Sequence, residues 1–208
     1  MDRNFREAIE KEFFWFPRLG WGHLNPQKDF EYDSKYIQKF VDYEKDDNTL
    51  ILNKMRTEFV NKYIRDGWLL DYGCGAGTFI KIRGPNTFGF DVSSVVIEWL
   101  ERKKLFFDPE ETTYIDSISF WDSLEHIKFP GVILKKIRHY AFVSMPIYDN
   151  LDHVLSSKHF KPNEHLYYFT RDGLIRYMTL NGFNCIEESN FESLIGRKDI
   201  GSFVFKRQ

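Results

Sequence analysis

The chain has little cysteine, no long apolar run and no excess of charge of either sign. Among its 208 residues are two cysteines, Cys74 and Cys185. Two thiols make neither a disulfide framework nor a cysteine metal cluster, and a reduced, cytoplasmic protein is the default expectation. No apolar stretch approaches the length of a membrane span. The N-terminus is charged and broken up by acids, unlike a secretory leader. Lysine and arginine total 29 against 31 acids, a formal net charge of −2. That balance gives no basic footprint for nucleic acid. The basic runs at 102–104 and 135–138 fall near expected helix ends, where cations suit the macrodipole.

Aromatic residues are plentiful, with 21 Phe, 11 Tyr and 5 Trp. Many fall outside any regular apolar period, which points to an aromatic-lined pocket or lid beside an ordinary core. The length suits one domain, or one domain with a cap. Residues 1–48 read as the cap. The cluster from Phe13 to His23 is cut by Pro and Gly and cannot be one regular element. Helical spacing follows at 34–43 and again from about Thr49 to Ile64. Residues 49–208 read as the main domain.

Its centre is the stretch Leu69 to Ile80. A short apolar run ends in Asp71, and glycines follow at Gly73, Gly75 and Gly77. Glycine lets the chain turn sharply and lets a ligand reach the backbone. Apolar residues resume at Phe79 and Ile80. The order is strand, glycine turn, helix, with a ligand crevice at the strand's carboxyl end. A dinucleotide fingerprint spaces its glycines differently, as G-x-G-x-x-G. A second strand ends at Asp91, where a carboxylate can accept hydrogen bonds from two ribose hydroxyls or else cap the next helix.

Strands then alternate with helices: about 68–72, 86–91, 105–107, 116–121 and 140–145, the last stopped at Pro146. Helices are expected at 77–82, from Val95 to Lys103, around Ile133, Leu134 and Ile137, and from Thr170 to Asn181. Two more strands, at 183–187 and 202–205, close the chain. This β-then-α order argues a doubly wound parallel α/β sheet.

Asp71-x-Gly73-x-Gly75-x-Gly77, with Asp91 and the segment Asp122-Ser123-Leu124-Glu125-His126, resembles the class I S-adenosylmethionine-dependent methyltransferases. The Asp-x-Leu-Glu-His segment is common in their ubiquinone-biosynthesis-like branch. The resemblance covers about residues 68–205. It implies a Rossmann-like seven-stranded sheet of order 3-2-1-4-5-7-6, with its last strand antiparallel. It implies S-adenosyl-L-methionine as cofactor, held by Asp71, Gly73, Cys74, Gly75, Gly77, Asp91, Val92, Trp121, Asp122 and Ser123. Asp91 would take the ribose, Val92 would pack near the adenine, and Asp122 would stand at the methionine end. The N-terminal segment would fold over the cofactor, with Tyr32 and Tyr36 able to touch ligand or simply to pack on the sheet edge.

The segment from His153 to Thr170 is too polar and interrupted for core and is expected to roof the crevice. His165, His159 and His126 are base candidates, since imidazole titrates near neutral pH. Glu164, Tyr167 and Tyr168 offer a carboxylate and ring faces to a polar acceptor. Glu125 and His126 can equally serve to cap and orient their own loop. No carboxylate or cysteine near the histidines has a recognised ligand spacing, so no metal is expected. The expected partner is a small or medium molecule, and neither a membrane nor nucleic acid. The acceptor atom is left open.

Overall fold

The computed structural model describes residues 12–25 and 46–208. Tyr32, Tyr36 and the helical spacing at 34–43 lie outside them.

A six-stranded sheet forms the frame. It comprises β3 (Leu69–Tyr72), β4 (Thr87–Phe90), β5 (Ile115–Trp121), β6 (Ile137–Tyr148), β8 (Phe183–Ser189) and β9 (Ile200–Arg207). Their spatial order is β4-β3-β5-β6-β9-β8. The first four are parallel, and β9 runs antiparallel between β6 and β8. The expected order is therefore present from its second strand onward. The expected strand at 105–107 is reduced to one parallel bridge, Gly89 to Phe106.

The central strands are apolar on both faces. Leu69, Leu70, Ile118, Phe120, Phe142, Val143, Val204 and Phe205 are all fully buried. A parallel sheet sandwiched by helices demands this. Helix α1 (Asp47–Asn61) lays Phe59 and Val60 on one face, beside Leu69 and Phe142. Its start is capped by Asp46, whose carboxylate accepts from the Thr49 N–H. Helices α2 (Thr78–Arg83) and α3 (Ser94–Lys103) pack together through Ile80, Val96 and Leu100. A short α4 (Pro130–Leu134) precedes β6, and α5 (Leu151–Ser156) follows it. Helix α6 (Arg171–Leu180) buries Leu174 and Met178, and the Thr170 hydroxyl accepts from the Gly173 N–H at its start.

Three expectations are corrected here. Ile137 belongs to β6 and not to the preceding helix, which ends at Leu134. Pro146 does not end its strand. It lies past the last β5 partner, Ser144, and before the first β7 (Tyr167–Thr170) partner, Ile147. At that changeover a missing N–H breaks no ladder on that edge. The 153–170 segment is also more regular than its polarity suggests. It contains α5 and β7, and Tyr168 and Phe169 are buried.

Strand β7 pairs with the end of β6 and carries a hairpin on its other edge. That hairpin is β1 (Phe13–Phe16) and β2 (Trp21–Leu24), so the aromatic cluster folds as two strands about a turn. Trp21 packs against Phe16, Tyr167, Phe169 and Tyr177. Among the described residues no helix is long and apolar enough to cross a membrane.

Candidate functional site

A cavity of about 1140 Å³ opens at the carboxyl ends of β3, β4 and β5. This is where an open α/β sheet binds its ligand.

The glycine loop forms one wall. Gly73, Gly75 and Gly77 all have positive φ, at 76°, 52° and 72°. Only glycine enters that region without strain. At Gly73 a Cβ would also lie 2.7 Å from the Ser123 Cβ. Gly77 differs: it is buried behind the wall, and a Cβ there would meet the Trp99 ring at 2.5 Å. Its glycine is required by packing. Cys74 lines the wall, and burial raises its thiol pKa well above normal.

Asp71, the penultimate residue of β3, accepts from the Ser119 hydroxyl at 2.8 Å. Burial pushes its carboxyl up to about 7. Asp91 has both of its open readings in view. One oxygen accepts from the Ser93 N–H and the other from the Gly75 N–H, each at 3.0 Å. The carboxylate thus braces the glycine loop and the start of α3 while lining the cavity. Val92 next to it is 61% exposed on the cavity surface.

The opposite wall follows β5. Trp121 is buried, edge-on to Phe79 and beneath the Arg56 guanidinium. Ser123 donates to the Tyr72 carbonyl at 2.6 Å. Asp122, at a positive φ of 55°, is clamped by two arginines. Arg56 of α1 donates at 3.0 Å, and Arg197, from the connection between β8 and β9, donates at 2.8 and 2.9 Å. Both arginines also hold Glu192, whose carboxylate is fully buried. Burial alone would raise the Asp122 pKa, but Arg197 and Arg56 hold it down at about 2. This quartet carries no sequence signal, because its members are scattered from 56 to 197.

The roof is built from the turn Leu124–His126 and the segment before β7. The Leu166 N–H donates to the Glu125 carbonyl at 2.8 Å, which ties the two together. His126 and His165 meet edge to face, with ring centroids 4.7 Å apart. Burial lowers His126 to about 4 and His165 to about 2. Burial, and then the nearby Asp122 charge, raises Glu125 to about 8. Its two oxygens are buried with no hydrogen-bond partner among the described residues. The capping role open to Glu125 is therefore not what its carboxylate does. His159 and Glu164 also line the cavity. The His159 ring bonds the Lys198 carbonyl, and Glu164 pairs with Lys161 at 3.3 Å. Tyr167 is not on the cavity wall. It stacks with Phe169 and donates to the Lys128 carbonyl. Tyr168 is sealed among Tyr148, Phe160 and Leu24.

The cofactor-side residues other than Gly77 and the three histidines, drawn from distant parts of the chain, thus share one cavity. The sequence reading missed Arg56, Arg197 and Glu192 and undervalued Glu125.

Comparison with known proteins agrees with this geometry. No curated protein matches the chain. Among solved structures the fold is similar to magnesium protoporphyrin IX methyltransferase from Synechocystis PCC 6803 with bound SAH. That likeness has a TM-score of 0.61 and 13% identity, over 85% of this chain and 96% of the other. It is also similar to an S-adenosylmethionine-dependent methyltransferase from Clostridium acetobutylicum, with TM-score 0.60, 14% identity, and 84% and 99% coverage. A third, a SAM-dependent methyltransferase from Archaeoglobus fulgidus, has TM-score 0.56, 20% identity, and 81% and 99% coverage. Such identities speak for the fold alone. The family model described as a methyltransferase domain matches residues 38–188. That is most of the chain, which therefore belongs to the methyltransferase-domain family.

Proposed function

We propose that the protein transfers a methyl group from S-adenosylmethionine to a small or medium polar acceptor. The observation that carries this reading is the positive-φ glycine loop, braced by Asp91, on the wall of a cavity of about 1140 Å³. Asp91 would hold the ribose and Val92 would cover the adenine. Asp122 would lie at the methionine end. The Asp122-Ser-Leu-Glu-His126 segment supports placement in the ubiquinone-biosynthesis-like branch. The hairpin Phe13–Leu24, bonded to β7, supports the reading of the 1–48 segment as a cap beside a main domain of residues 49–208.

The reaction needs little covalent help. A sulfonium methyl is already electrophilic, so the protein's work is alignment and dryness. A general base functions best with a pKa near the working pH. His165 at about 2 and His126 at about 4 are poor bases by that measure. Their proposed place is at the acceptor end, as contact and positioning groups, with His159 farther out.

Calorimetric titration with S-adenosylhomocysteine and with NAD tests the cofactor. Binding of the first alone is expected, and Asp91→Ala should weaken it by about 1–3 kcal/mol. Preference for NAD, or an unchanged affinity in a folded Asp91→Ala protein, overturns the assignment. Release of S-adenosylhomocysteine across an acceptor panel separates an enzyme from a cofactor-binding protein without acceptor chemistry.

A further inference from the structure

We propose that Glu125, His126 and His165 bind a first-row divalent cation, with open coordination positions facing the cavity. Sequence spacing gives no hint of it, because His165 comes from a different part of the chain. The fold brings the three together, with one ligand atom from each all within 4.8 Å of one another. Zinc bonds of about 2.0–2.1 Å would bring them closer, an inward movement of about 1 Å per side chain.

The strongest observation is the Glu125 carboxylate. It is 1% exposed, lines the cavity, and has no hydrogen-bond partner on either oxygen among the described residues. An isolated buried carboxylate is costly and must be protonated, paired or coordinated to a metal. Its neighbour Asp122 meets that demand with two arginines. Among the described residues Glu125 has no such pair. The Lys161 ammonium nearby is paired with Glu164.

The imidazoles suit the same role. The His126 and His165 rings meet edge to face, with centroids 4.7 Å apart. A metal-bound imidazole typically hydrogen-bonds through its other nitrogen, which fixes ring and tautomer. The ligand segments are themselves locked by the Leu166-to-Glu125 backbone bond.

Two imidazoles and one carboxylate form a set found in catalytic zinc and non-haem iron sites, where remaining positions stay open. Magnesium and calcium prefer all-oxygen sets. Asp122 is committed to its arginines and is not counted as a ligand. One consequence rests on the methyltransferase reading. An acceptor hydroxyl bound to the ion would release its proton to water near neutral pH. Its oxygen pair would then take the methyl, and the carbon–sulfur pair would stay on sulfur as the thioether.

The test uses the full chain, stripped with chelator and without S-adenosylmethionine. It is titrated with Zn²⁺ by calorimetry and with Co²⁺ by visible absorption. One ion per chain is expected, at roughly micromolar affinity or tighter, with a Co²⁺ spectrum of low coordination number. Glu125→Gln keeps the side chain's shape and should weaken binding by more than the roughly 10–100-fold cost of losing an outer-shell partner. His165→Asn should do the same, and circular dichroism checks that both variants fold. His153→Gln, at the exposed pair with Asp149, should change nothing. No saturable ion, or equal affinity in a folded Glu125→Gln protein, overturns the proposal and leaves Glu125 a buried neutral acid. A chain that binds S-adenosylhomocysteine but no zinc overturns only the metal site. One that binds zinc but no S-adenosylhomocysteine overturns only the methyltransferase reading.

Discussion

Asp122 and Glu125 stand three residues apart and line one cavity, the first on its wall and the second in its roof, and the fold treats them oppositely. Asp122 sits between Arg56 and Arg197, and its pKa is held near 2. Among the described residues Glu125 has no cation bound to it, and burial pushes it to about 8. The first region is electrostatically closed and organises the wall. The second has been desolvated without compensation from the described residues. A protein tolerates that imbalance where something else completes the site, and such perturbed groups cluster at functional positions. The difference separates a structural ion network from a ligand position, although both are acids in one short segment.

The largest expected effect breaks the closed side. Arg56→Met removes a cation that bridges Asp122 and the fully buried Glu192. Breaking a buried pair leaves an uncompensated charge, so a loss of about 3 kcal/mol is expected in urea unfolding. Arg171→Met, which breaks the exposed pair with Glu188, should cost far less, because solvent screens that pair. Equal losses in the two variants would show that the network around Asp122 is not energetically closed.

The pH dependence sharpens the contrast by its sign. The folded Asp122 pKa lies below its ordinary 3.8. Its contribution to stability is present above about 3.8 and is lost as pH falls toward 2. The folded Glu125 pKa lies above its ordinary 4.5. Its contribution is full below about 4.5 and is lost as pH rises to 8. In chelator-treated protein, Glu125→Gln should therefore raise the melting temperature by several degrees at about pH 8 and by much less at about pH 5. A gain independent of pH would mean that the Glu125 carboxyl is already solvated or paired.

The two regions also differ in how far the sequence reveals them. Asp71, the glycine loop and Asp91 lie within one βα unit and the strand after it, so local spacing carries them. Asp122 was legible as a residue at the end of a strand. Its arginines were not, because Arg56 and Glu192 meet only after the sheet is complete. The same limit hid the roof. Polarity made the 153–170 segment look like open loop, yet Tyr168 and Phe169 gain buried partners from β2 and β6. Gly77 makes the expected turn with a positive φ, but it does not line the cavity. It keeps its place by packing against Trp99, while Gly73 keeps its place beside Ser123.

A smaller effect is expected at the junction of the glycine loop with the Asp122 wall. Gly73→Ala forces a Cβ into a left-handed backbone position and against Ser123. The conformational cost alone is about 1–2 kcal/mol. The loop should yield before the sheet does, so S-adenosylhomocysteine affinity should fall more than thermal stability. If the glycine loop gives way and Ser123 does not, zinc affinity should be retained. Loss of zinc binding together with cofactor binding would merge the two regions into one cooperative unit.

The smallest effect probes the outer edge of the roof. Tyr167 donates to the Lys128 carbonyl at 3.2 Å, just beyond the Glu125–His126 turn, and its ring stacks with Phe169. If packing and the Leu166-to-Glu125 backbone bond hold the roof, that hydroxyl is a minor brace. Tyr167→Phe keeps the ring and deletes one long, exposed hydrogen bond, which should cost about 0.5–1 kcal/mol at most. Zinc and S-adenosylhomocysteine affinities should not move, because Tyr167 lies off the cavity wall. Steady-state kinetics on an identified acceptor give the sharper reading. An unchanged KM leaves acceptor recognition to the cavity-lining groups, including His126, His165 and Glu164. A several-fold rise in KM with stability intact would mean that the 165–168 strand edge turns toward the acceptor during turnover. Tyr167 would then regain the substrate contact expected from its place in the sequence, and the roof would be the mobile region of the two.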